Sequence, residues 1–118
     1  MNEYHQDDLH IAVVTSHDDV VVTWRGESDA RNPRETLGPY LTEVARKLGS
    51  RTVRVTFAEL TFMNSATVLP IMDFLKELSK NATKVTVEYR QDLQWQVTSF
   101  RALRIVARTW GNVSVVGV

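Results

Sequence analysis

RTVRVTFAELTFMNSATVLPIMDFLKEL, residues 51–78, is the stretch whose reading decides the fold. Its first part alternates. Val53, Val55 and Phe57 fall on one side, so Arg51–Phe57 reads as a strand with one buried face. Its last part changes period: Val68, Leu69, Met72, Leu75 and Leu78 step by three and four, predicting an amphipathic helix over 67–79. Between the two, Leu60-Thr61-Phe62-Met63-Asn64-Ser65-Ala66 must turn the chain. Pro70 suits this helix if Thr67 is its cap, because the third helical N–H has no intrahelical partner to lose. Capping by Ser65 would instead cost the first turn a bond. Either way Ser65 and Thr67 lie at the positive end of a helix, among free N–H groups that favour an anion such as phosphate.

The same alternation of periods extends outward on both sides. Residues 9–15 form a β-branched strand, Ser16-His17-Asp18-Asp19 turns, and Val20–Trp24 returns until Arg25-Gly26 stops it, which predicts an antiparallel hairpin. Residues 26–36 loop to Asn32-Pro33, where Asn32 can cap a helix with Pro33 first and Glu35 third. Pro39 forbids a regular helix through that start, so an irregular turn near 33–37 should precede a helix beginning at Gly38 or Pro39. Leu37, Tyr40, Leu41, Val44 and Leu48 would face its core, and Gly49 would end it. Downstream, Val85, Val87 and Tyr89 alternate. Leu93, Val97, Phe100, Leu103, Val106 and Trp110 then step helically, and Val113, Val115 and Val116 suggest a last strand. The order β-β-α-β-α-β-α-β predicts one α/β domain over 1–118, a mixed sheet with covering helices, with residues 1–8 a flexible extension.

Composition narrows the function. The 118 residues are 43% hydrophobic and 24% charged, an ordinary globular balance. Without cysteine there is no disulfide, thiolate catalysis or thiol switch. Lys plus Arg equal Asp plus Glu at 14 each, which removes the electrostatic case for a nucleic-acid or membrane partner. The balance is uneven along the chain: residues 1–29 carry seven acids against Arg25 alone, and residues 90–108 carry four arginines against Asp92. Such asymmetry suits either two solvated faces or docking to a charged protein. No apolar run spans a bilayer and Met1–Asp8 lacks the pattern of a signal peptide, so a cytoplasmic location is expected.

A catalytic site is hard to assemble from these residues. His5, His10 and His17 all come early, His5 in the expected extension. His10 and His17 with Asp18 or Asp19 match no established ligand spacing, so neither metal nor cofactor is expected. Gly26, Gly38 and Gly49 are isolated, and no Gly-x-Ser-x-Gly elbow exists. Glu59 and Asp73 occupy ordinary solvent-facing positions. Trp110 fits the helical stripe; Trp95 lies beside it, suited to packing at the sheet edge or to anchoring a partner near Arg90 and Arg101. Arg101, Arg104 and Arg108 would form a basic stripe on the same helix. The reading is therefore of a protein that is not an enzyme.

The order of elements, together with Val53–Leu78, resembles the STAS domain of bacterial anti-sigma factor antagonists, over roughly residues 9–116. In that family a Phe- or Leu-rich turn leads to an Asp-Ser pair opening a helix, and the serine is phosphorylated. Phe62-Met63-Asn64-Ser65 is similar, with Asn64 in place of the aspartate and Ala66-Thr67 in place of the usual Ser-Gly. The SiaC-like branch of regulatory phosphoproteins opens this helix with Asn-Thr. Met63-Asn64-Ser65, Ile71–Leu75, and Gly26-Glu27-Ser28 with Asn32-Pro33 resemble that branch. The resemblance implies a phosphorylated Ser65, with Thr67 the alternative hydroxyl, and a partner-binding surface of Met63, Asn64, Ser65, Thr67 and Val68. It implies a cognate protein kinase and phosphatase, and a target that is an anti-sigma factor or a diguanylate cyclase. The alternative is a constitutive adaptor or structural subunit.

Overall fold

The computed structural model describes residues 2–118, whose six strands form one sheet in chain order. Strands β1 (Asn2–Gln6), β2 (Leu9–Thr15) and β3 (Asp19–Ser28) run antiparallel. Strands β4 (Thr52–Met63), β5 (Lys84–Tyr89) and β6 (Val113–Gly117) then continue parallel to β3. The parallel links carry the helices: α1 (Pro33–Thr36) and α2 (Gly38–Leu48), then α3 (Val68–Asn81), then α4 (Gln94–Ala107). Every crossover steps one strand in the same direction. Right-handed connections that never reverse must leave all the helices on one face. Burial agrees: Val20, Val22, Trp24, Val53, Val55, Phe57, Val85 and Val87 are almost fully buried, and their alternating neighbours are not. The uncovered face is laced instead by cross-strand pairs Arg25–Glu59 at 3.2 Å and Arg54–Glu88 at 3.3 Å. Among the described residues no helix is long and apolar enough to cross a membrane.

The mixed α/β architecture expected from the sequence is observed, including the break before Gly38. The short α1 ends at Thr36, and α2 runs from Gly38 to Leu48. Asn32 sits at the cap of α1 and receives N–H bonds through its backbone carbonyl; its side chain makes no cap bond.

Besides a β4 that runs on through Leu60–Met63, paired with β3, where the chain was expected to turn, three expectations need correction. The flexible extension expected over residues 1–8 is, from Asn2 onward, a paired strand followed by a two-residue turn, with Asp7 at φ 52°. Only Tyr4 in it is apolar enough to signal a strand. Backbone pairing with β2 and the tilted ring contact of Tyr4 with Tyr40, centroids 4.7 Å apart, hold the segment. β3, expected over Val20–Trp24, does not stop at Arg25-Gly26 but continues to Ser28 through register shifts on either side of that pair. Gly26 makes the continuation possible: φ is 85°, and a Cβ there would lie 2.0 Å from the carbonyl oxygen of Asp8. Third, the buried face of α3 is Pro70, Ile71, Phe74, Leu75 and Leu78; Met72 and Val68 are half-buried and Leu69 is 51% exposed. Five apolar residues among positions 68–72 blur the period, and packing against the sheet chooses the face.

Candidate functional site

β3 and β4 end side by side, with Ser28 opposite Met63, so the chain leaves the sheet at the same level twice. Asn64 joins the two exits. Its backbone N–H donates to the Ser28 carbonyl at 2.9 Å, and its side-chain Nδ2 donates to the Ala30 carbonyl at 2.9 Å. Its Oδ1 receives the backbone N–H of Thr67 at 3.1 Å and the Thr67 hydroxyl at 2.6 Å. Oδ1 can only accept, so the Thr67 hydroxyl commits its proton there. The Ser28 hydroxyl, 2.8 Å from Thr67 Oγ1, must then be the donor of that pair. A one-way chain results: Ser28 to Thr67 to Asn64. Both hydroxyls are buried, Thr67 with no exposed surface.

This arrangement makes Asn64 the side-chain cap, for a 3-10 turn over Ser65–Thr67 that leads into α3. Thr67 occupies the position just before α3 but makes no side-chain cap bond, and Pro70 is the third residue of the helix, where its missing N–H costs nothing. The residues expected at the site therefore separate. Ser65 is exposed, Met63, Asn64 and Val68 are half-buried, and Thr67 is enclosed, so its hydroxyl is presented neither to an enzyme nor to a partner surface. Phe62, 45% exposed, and Leu69, 51% exposed, stand near Ser65 in sequence and were not among the expected contact residues. Met63, Val68, Ile71, Ser99, Phe100 and Leu103 line a small, mostly apolar cleft between α3 and α4. Arg34 of α1 and Asp73 of α3 pair at 3.0 Å on the exposed side.

Below the turn lies a support that the sequence reading missed. Gln96 of α4 has no exposed surface. Its Nε2 donates to the carbonyls of Phe57 and Leu60 at 2.7 and 2.8 Å, and its Oε1 receives the Arg90 N–H at 2.7 Å. β5 pairs with β4 only as far as Thr56, so one amide takes over where the neighbouring strand gives out. The signal was present: residues 96, 100, 103 and 107 share one helical face, and all are buried.

The basic stripe on α4 is also divided. Arg101 and Arg108 are exposed, whereas Arg104 turns inward, its Nε donating to the Val115 carbonyl at 2.9 Å and its guanidinium reaching the Tyr89 hydroxyl at 3.3 Å. Trp95 and Trp110 are both partly buried against the core. Arg90 forks onto Asp92, and that bond holds the exposed Asp92 carboxyl below its usual range. Of the histidines, His10 gathers with His5 and Glu3 rather than with His17.

Comparison with solved structures places the fold. An anti-sigma factor antagonist from Mycobacterium paratuberculosis superposes with a TM-score of 0.63 at 17% identity, over 90% of this chain and 85% of that one. The anti-sigma factor antagonist SpoIIAA in its unphosphorylated form gives 0.56 at 14% identity, over 90% and 87%. No family model matches the sequence, and no curated protein matches it. At these identities the likeness is one of fold, and it is the STAS-like fold expected from residues 53–78.

Proposed function

We propose that this chain is a non-enzymatic regulatory module that binds a partner protein through the β4–α3 turn and is switched by phosphorylation of Ser65. The observation that carries the reading is the contrast between Ser65 and its neighbours. Asn64 and Thr67 have their polar groups consumed inside the fold, while Ser65 offers an exposed hydroxyl on a turn they hold in place. A phosphoryl group there adds close to two negative charges. At the entrance to α3 it is favoured by roughly 0.3–1 kcal/mol through the helix dipole, so the modification suits the fold. Phe62 and Leu69 supply exposed apolar surface that a partner would bury, and a dianion beside them changes what can dock.

The partners are a cognate kinase and phosphatase acting on Ser65, and a target in the same cytoplasmic compartment. The names of the two structural neighbours and the STAS resemblance favour an anti-sigma factor; the SiaC-like motifs favour a diguanylate cyclase. Phosphopeptide mapping of the protein from its native cell is expected to find phosphate on Ser65 and none on Thr67. A pull-down comparing wild type with Ser65→Asp and Ser65→Ala is expected to show altered capture of one partner at unchanged thermal stability. A stoichiometric partner captured equally by all three proteins, with Ser65 never phosphorylated, would replace the switch with a constitutive adaptor.

A further inference from the structure

The N-terminal hairpin places two histidines directly opposite each other. In the β1–β2 register His5 faces His10 one pair away from the tight turn, and Glu3 precedes His5 by two residues on the same face. That face is the uncovered side of the sheet. Glu3 and His5 are exposed and His10 is half-buried. The imidazoles stack with centroids 4.1 Å apart, and His10 Nε2 lies 3.1 Å from Glu3 Oε1. One ligand atom from each of the three residues falls within 4.8 Å of the other two.

We propose that Glu3, His5 and His10 form a zinc site on the open face of this hairpin. Two imidazoles and a carboxylate are a donor set typical of zinc, bound at about 2.0–2.2 Å and completed by water in the fourth position. Two such ligands on a tetrahedral ion lie about 3.4 Å apart. The Glu3–His10 separation is close to this, and His5 must rotate out of its stack on His10 to aim a ring nitrogen at the same ion, which its exposure permits. The hairpin pre-organises the three because its two-residue turn fixes the register, so little chain entropy opposes closure. Asp7 and Asp8 in that turn add negative charge. Arg25, opposite His10 on β3, is the nearest opposing cation by register, and its Nε is engaged by Glu59 on the far side. A bound ion would fasten the edge strand β1 to β2. The ligand types also discriminate: magnesium and calcium prefer all-oxygen sites and should not compete.

The test uses the untagged full chain and zinc sulfate, followed by calorimetric titration, thermal melting and NMR of the three imidazoles. His17, in the exposed turn between β2 and β3, serves as the internal control. The expected result is one zinc per chain, with ring resonances of His5 and His10 shifting and those of His17 unmoved. At about ten times the dissociation constant, the melting temperature should rise by roughly 5 °C. His5→Ala and His10→Ala should each abolish the site while leaving the circular-dichroism spectrum intact, His17→Ala should change nothing, and Glu3→Gln should weaken binding roughly ten-fold. Equal loss with His17→Ala, saturation unaffected by His10→Ala, or no heat at millimolar zinc would each overturn the proposal.

Discussion

Replacing Gln96 tests how the turn is supported. Gln96→Leu keeps similar bulk but strips hydrogen bonds from three backbone groups: the Phe57 and Leu60 carbonyls and the Arg90 N–H. A buried backbone group left unsatisfied costs about 1–3 kcal/mol, and the added apolar contact returns about 1 kcal/mol. Three such costs at their lower end, less that return, make the expected net loss at least about 2 kcal/mol, a large share of the 5–15 kcal/mol typical of a whole domain. Urea denaturation should show the midpoint falling by about 2 M at unchanged slope, taking a slope of roughly 1–1.5 kcal/mol/M. Hydrogen exchange should speed selectively at the Arg90 amide. Gln96→Glu carries a sharper signature, since its carboxylate would face two carbonyl oxygens and resist ionising. Its folded pKa is thereby raised, so its penalty is smallest below the ordinary carboxylate range and grows as pH rises through it. A loss below about 1 kcal/mol for Gln96→Leu, or an Arg90 amide that exchanges as in wild type, would refute the assigned role.

Gly26→Ala should be among the most damaging small substitutions, because a Cβ 2.0 Å from the Asp8 carbonyl oxygen must displace β2 or the β1–β2 turn; a wild-type melting curve would contradict it. Thr67→Val leaves the buried Ser28 hydroxyl without its acceptor and should cost about 1–3 kcal/mol in urea unfolding, with the double variant Ser28→Ala/Thr67→Val recovering part of the loss. Tyr40 should titrate late in absorbance at 295 nm: burial first, then the charge of Glu3 and neighbouring Tyr4, push its phenol up to about 12. Because the folded value is raised, the stability it contributes is complete below pH 10 and is lost as pH climbs towards 12, and Tyr40→Phe should remove that late step.

What could be read in the sequence was whatever periodicity governs. Val53-x-Val55-x-Phe57 and the steps through α2 announced themselves because one face of each is apolar and the other polar. β1 was invisible because Asn2-Glu3-Tyr4-His5-Gln6 has no such contrast; its strand conformation is decided by a partner already in place. The site was half legible. Ser65 stands where the motif put it, but sequence treats Asn64, Ser65 and Thr67 as interchangeable polar caps, and only the approach of Ser28 and Ala30 from β3 buries one hydroxyl and exposes another. Gln96 carries no such contrast, since glutamine is ordinarily a surface residue, yet its spacing to Phe100 and Leu103 sets it on the buried face.

The sheet lists its strands in the order in which the chain is made. During synthesis each newly emerged strand finds its only earlier neighbour already finished, and no strand has to be inserted between two others. Assembly can proceed as simple accretion from one edge. The last increment is then α4 with β6, which brings Gln96 to the Phe57 and Leu60 carbonyls. A chain truncated before residue 96 would contain the whole β4–α3 turn but lack the amide that holds the Phe57 and Leu60 carbonyls of the strand leading into it. Competence of Ser65 as a target should therefore arrive with the C-terminal quarter of the chain, not when Ser65 itself leaves the ribosome.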